Sequence, residues 1–131
     1  MNSELVERGA LAVWYVDADS NEGIPEAFAE LETRLETMRG RRFYGAFFPA
    51  DGGYHACVET VPGETLALPG ETLPGGRFLK AILRGEPPEL YQRIPAAFEE
   101  LVRVGDHDPD RPSLEFYRRR DEVVLLLPVR G

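Results

Sequence analysis

Apolar residues recur along this chain in two rhythms, one with a period near four and one with a period of two, and each rhythm returns in the second half. Ile24, Phe28, Leu31, Leu35 and Met38 follow one another at spacings of four and three, which gathers them into one stripe of a helix. Pro25 suits the first turn of that helix, where its missing amide has no partner to lose, and Gly40 supplies a stop. Leu90, Ile94, Ala97, Phe98 and Leu101 mark a second stripe between Pro87-Pro88 and Gly105, which predicts a helix over 88–104 kinked at Pro95. The helices are copies: IPEAFAEL at 24–31 and IPAAFEEL at 94–101 agree at six of eight positions, at an offset of 70. Two related halves are expected.

Runs rich in β-branched and aromatic residues flank each helix. They cover 11–18 before the first helix and 42–49 and 54–61 after it, the latter two joined through Asp51-Gly52-Gly53. In the second half they cover 77–83, then 113–119 and 122–128 around a turn near Arg120-Asp121. The expected fold class is therefore α+β: duplicated β-α-β-β units with pseudo-twofold symmetry, six strands in an antiparallel sheet, two helices on one face and a ligand cleft on the other. The halves run about 9–62 and about 75–131 within a single domain of 1–131. Between them VPGETLALPGETLPGG, at 61–76, reads as a linker whose three Pro-Gly pairs suit type II turns. It lacks both Gly-Lys-Ser/Thr and G-x-G-x-x-G, so it is not read as a phosphate loop.

Charge narrows the partners. With 23 acids against 15 bases, the 131 residues carry a formal charge of −8, which speaks against nucleic acid and against an anionic membrane surface. No apolar run approaches the roughly 20 residues that span a bilayer. Cys57 is the single cysteine and cannot form an internal disulfide. Met1–Ala10 places Glu4, Glu7 and Arg8 where a signal peptide needs an apolar centre. A cytoplasmic location is expected.

The second half also carries an ordered set of motifs: Pro74-Gly75-Gly76 leading into a strand, the helix at 88–104, Glu115-Phe116-Tyr117, and a last strand ending in Leu127-Pro128. This order resembles the gyrase-inhibitor-like family, which also supplies the effector-binding domains of AraC-type and MerR-type multidrug regulators. Phe78 and Leu79 stand where the family commonly has Tyr-Ala. The resemblance implies a small-molecule cleft for cationic or aromatic drug-like compounds, with the Glu of the Glu-x-Tyr strand meeting the ligand. It also implies an alternative, since some stand-alone relatives are associated with hydrolysis of cyclopropane-bearing alkylators.

The residues can be read toward the same chemistry. Strand alternation puts Leu114 and Phe116 on one face, expected to meet the helices, and Glu115 with Tyr117 on the other. An unpaired carboxylate in a cleft is costly unless it protonates, gains hydrogen bonds or meets a cation. Matching the two hairpins at an offset of 73 sets Tyr44 against Tyr117. The candidate ligand-binding set is Trp14, Tyr44, Phe48, His55, Glu115 and Tyr117: a negative centre with aromatic walls suited to a flat cation. In the hydrolase alternative Glu115 and Tyr117 are the candidate catalytic pair, the carboxylate activating water. A third reading makes the chain an acidic protein that binds a macromolecular partner. No cofactor is expected. No metal is expected either: His55 has no ligand at suitable spacing, and the Asp106–Asp110 run lacks the Gly and Glu of a calcium loop. Arg118-Arg119-Arg120 reads as a set of charges that neutralises nearby acids.

Overall fold

Two short strands that the apolar rhythm does not announce complete the sheet. A computed structural model, which describes residues 1–130, orders the elements as β1 (Glu4–Arg8), β2 (Leu11–Ala18), α1 (Ile24–Thr33), β3 (Phe43–Phe48), β4 (Gly53–Glu59), β5 (Gly70–Leu73), β6 (Gly76–Arg84), α2 (Glu89–Gln92), α3 (Ile94–Val104), β7 (Ser113–Arg119) and β8 (Glu122–Pro128). The fold is α+β, and its antiparallel sheet has eight strands in the order β1-β6-β8-β7-β3-β4-β2-β5, two more than the six expected. Exchanging the halves (β1 for β5, β2 for β6, β3 for β7, β4 for β8) reverses that order onto itself. The pseudo-twofold axis therefore passes between β3 and β7.

The edge strands are exchanged. β1 pairs with β6 of the second half, Val6 opposite Phe78, while β5 pairs with β2 of the first half, Leu73 opposite Leu11. Of the stretch expected to be a linker at 61–76, residues 70–73 are thus strand; only Gly63, at φ +80°, has the positive φ of a Pro-Gly type II turn. The two strand connections cross in contact: a Cβ on Gly75 would meet the Arg8 carbonyl oxygen at 2.5 Å and the Ala10 nitrogen at 2.6 Å. Only glycine allows that approach.

Both helices differ from their sequence-based lengths. α1 ends at Thr33, whose hydroxyl donates to the Glu30 carbonyl at 2.6 Å and so competes with the helical ladder. Leu35 still packs on the first-half cluster from outside the helix, and Met38 is exposed. The expected kinked helix at 88–104 is two helices. Pro95 has no amide to continue a ladder, so the chain breaks at Arg93 and α3 restarts with Pro95 in its first turn.

The sheet uses both faces. On the helix face, Ala27 and Leu31 of α1 pack on Tyr54, Ala56 and Val58, and Ile94, Ala97 and Leu101 of α3 pack on Leu79, Ala81, Leu83, Val123, Leu125 and Leu127. On the other face, Tyr44, Cys57, Leu114, Val124 and Leu126 share a cluster with Val13, Leu73 and Phe78 from both ends of the strand order. The sheet therefore curls into a half-barrel around this second core. Its two apolar faces explain why β8 reads EVVLLLP with every residue buried. Among the described residues no helix is long and apolar enough to cross a membrane.

Candidate functional site

Curling closes the sheet on the side away from the helices and leaves the open space between α1 and α3. The cavity there has a volume of about 1130 Å³. Its walls are the repeated motif itself: Ile24, Pro25 and Phe28 from α1 face Ile94, Pro95 and Phe98 from α3. In each helix the neighbouring Ala and Leu face the sheet, so a single copied sequence supplies both a packing stripe and a cavity wall. The cleft expected on the face opposite the helices lies instead on their own face. Leu114 and Phe116, expected beneath the helices, belong to the opposite core.

The floor comes from β3, β4 and β7. Gly45 of β3 stands opposite Glu115 of β7, and 115 differs from 45 by the 70 residues that separate the helix copies. The register thus follows the helix offset, not the offset of 73 that set Tyr44 against Tyr117; Tyr117 lies opposite Phe43. Gly45 clears room for the group it faces, because a Cβ there would overlap the Tyr54 hydroxyl and lie 2.6 Å from Glu115 Oε1.

Glu115 is half-buried and accepts two phenolic hydrogen bonds on one oxygen: Tyr54 donates to Oε1 at 2.7 Å and Tyr117 donates to the same atom at 2.5 Å. The two hydroxyls lie 3.3 Å apart. Burial raises the Glu115 pKa above the ordinary carboxylate value, and the hydrogen bonds from Tyr117 and Tyr54 oppose that shift without cancelling it. Both tyrosines are held firmly in the phenol form, by burial first and by the adjacent carboxylate second. Phe28 sets its edge against Tyr117 at 5.3 Å and Tyr54 at 6.4 Å, and Tyr91 of α2 meets Tyr117 at 5.8 Å. Tyr117 itself lies where the β7–β8 register shifts, between Phe116 and Arg119, and a bulge of this kind re-aims side chains. Arg118, in the same stretch, pairs with Glu122, and Arg120 beyond it with Glu86.

Of the six candidate binding residues, the structure brings only Glu115 and Tyr117 to the cavity. Tyr44 is buried in the opposite core, stacked on Phe116 at 4.7 Å. Phe48 and His55 lie on that same face; His55 stacks on Tyr15 at 4.1 Å and its Nδ1 is 2.6 Å from Glu71 Oε1. Trp14 packs with the first-half cluster and its indole donates to Glu64 at 3.0 Å. In the Asp106–Asp110 run, Asp108 is engaged by Arg111 at 3.0 Å. Sequence reasoning missed Tyr54, Phe28, Phe98 and Tyr91. The helix repeat contained the signal for Phe28 and Phe98, since it conserves Ile-Pro and Phe as well as the Ala and Leu that pack.

No family model matches the sequence, and no curated protein matches it significantly. Solved structures match at the level of fold. SAV2435 bound to tetraphenylphosphonium superimposes with a TM-score of 0.68 at 12% identity, covering 100% of this chain and 95% of that one. The EcmrR C-terminal domain gives 0.67 at 11% identity, covering 99% and 98%. A hydrolase from Listeria innocua gives 0.55 at 12%, covering 98% and 91%. With the duplicated half-barrel and the cleft between its helices, these likenesses show that the chain has the gyrase-inhibitor-like fold.

Proposed function

We propose that this chain binds small cationic aromatic molecules in the cleft between α1 and α3, and senses or sequesters them in the cytoplasm. The observation that carries the reading is Glu115: a carboxylate in a predominantly apolar cavity that, among the described residues, has two phenol donors and no cationic partner. Desolvating such a group costs free energy that a bound cation offsets. Phe28, Tyr54, Tyr91 and Tyr117 add aromatic surface around the same point. The SAV2435 complex with tetraphenylphosphonium supports a ligand of this class.

Calorimetric titration with methyltriphenylphosphonium and with triphenylphosphine oxide, two compounds of similar shape and different charge, tests the reading. The protein is expected to prefer the cation. Glu115→Gln should weaken the cation about ten- to a hundred-fold, as expected for a charged contact worth about 1.5–3 kcal/mol, and leave the oxide nearly unchanged. Equal losses for both compounds overturn the anchor role of Glu115.

A second reading has a specific observation behind it. A carboxylate of raised pKa beside two hydroxyl donors can act as a general base toward water, which suits hydrolysis of a reactive xenobiotic such as a cyclopropane-bearing alkylator, with Tyr117 donating a hydrogen bond. Multiple turnovers with excess substrate, abolished by Glu115→Gln, would favour this reading over binding alone.

A further inference from the structure

The cleft has a second polar point on its floor. Ser113 precedes Glu115 by two residues on β7, so both side chains leave the same face of the strand, about 7 Å apart along it. Ser113 is only 7% exposed, lines the cavity, and its hydroxyl makes no hydrogen bond among the described residues. Its oxygen is not among the enclosed polar atoms, so it opens onto the cavity with no protein partner. Its counterpart in the first half, 70 residues earlier, is Phe43, which also lines the cavity. This polarity therefore belongs to one half alone.

Two further groups line the same cavity. His107 is one of them, but its unpartnered Nε2 is enclosed and does not open onto the cavity. Arg103, in the last turn of α3, forms no ion pair among the described residues. Glu99, one turn earlier on α3, also lines the cavity and is not paired with Arg103. From the unpartnered Ser113 hydroxyl and the unpaired Arg103 guanidinium, we infer that the cleft holds an acceptor subsite for a carboxylate or similar anionic group. Its ligand is a bipolar aromatic molecule, with its cationic centre at Glu115 and its anionic group roughly 7 Å away. Arg supplies the long-range attraction and a planar donor pair; Ser113 supplies a short-range donor.

The inference rests on the cation reading of Glu115, and one dye pair separates the two. Rhodamine B carries a xanthylium cation and a free carboxylate; its ethyl ester keeps the cation and masks the anion. Fluorescence anisotropy should show the acid binding about tenfold more tightly than the ester. Arg103→Gln and Ser113→Ala should each reduce that ratio, the double variant bringing it near one, while affinity for the ester stays unchanged and so reports an intact fold. Glu99→Gln should raise the ratio by removing a competing negative charge. If the ester binds in a Glu115-dependent manner and the acid is no better, or if the variants weaken both dyes equally, the acceptor subsite is overturned and the cation reading stands. If neither dye binds, both are overturned.

Discussion

The two halves of this molecule agree in the walls of the cleft and differ in its floor. Ile24, Pro25 and Phe28 have counterparts in Ile94, Pro95 and Phe98, and all six line the cavity. On the floor, Gly45 matches Glu115, Phe47 matches Tyr117 and Phe43 matches Ser113, each pair separated by 70 residues. Where the duplicated sequence stayed the same, it makes an apolar slot. Where these three positions diverged, one half contributes the charge and two hydroxyls while the other contributes space and rings. The chemistry is thus a property of the difference between the halves, and the container a property of their likeness.

The most damaging change should be one that restores a side chain on the empty side of the floor. Gly45→Ala places a methyl group against the Tyr54 ring and Glu115 Oε1; it should cost about 1–3 kcal/mol in denaturant unfolding through overpacking and abolish cation binding. Normal affinity in this variant would mean that Gly45 is not the space into which Glu115 fits.

Glu115→Gln should come next, with opposite effects on stability and affinity. Burial raises the folded-state pKa of Glu115 above its unfolded value, so the native protein holds this proton to a higher pH than the unfolded chain does. Its ionisation penalises folding as pH rises through the folded pKa, and the penalty fades as pH falls toward the ordinary carboxylate range. Thermal melts at pH 8 should therefore show the glutamine variant more stable, by about 1–3 kcal/mol, with the advantage shrinking in acid. Cation affinity of the unaltered protein should fall with acid at a pH above the usual carboxylate range. A variant less stable at pH 8 would refute the desolvation argument.

The walls offer a finer contrast. Phe28 meets Tyr54 and Tyr117 edge-on, whereas Phe98 has no ring partner among the described residues. Phe28→Leu should cost more than Phe98→Leu by about 0.5–1.5 kcal/mol, the worth of an aromatic pair. Equal costs would make the two walls energetically equivalent. Smallest of all, Trp14→Phe should leave cation affinity unchanged in the same titration, because Trp14 is engaged with Glu64 away from the cavity.

Much of the fold can be read in the sequence because the strands and helices follow simple periods. The runs at 113–119 and 122–128 coincide with β7 and β8, and 11–18 with β2. The edge strands could not be read: ELVER and GETL are short and polar, as edges that must resist further pairing tend to be. Glu115 and Tyr117 stood out through the Glu-x-Tyr motif. Tyr44, Phe48 and His55 were misassigned to the cleft because the first-half strands bury apolar residues on both faces, so alternation shows which residues share a face without showing which face holds the ligand. The register settles the matter, and it depends on Gly45 meeting Glu115 across the centre of the sheet, a long-range pairing that no local pattern encodes.

That central pairing also bears on why the halves share one chain. Gly45 and Glu115 face each other where the pseudo-twofold axis passes between β3 and β7. Two identical free subunits related by a true twofold would carry the same residue on both sides of that axis. Two glutamates there would set like charges in one apolar cavity, and two glycines would leave it with no charge at all. Covalent duplication removes the constraint, since each copy can change alone. A cleft with one negative centre and an open place opposite is an arrangement that a symmetric dimer of this unit cannot reach by any single substitution.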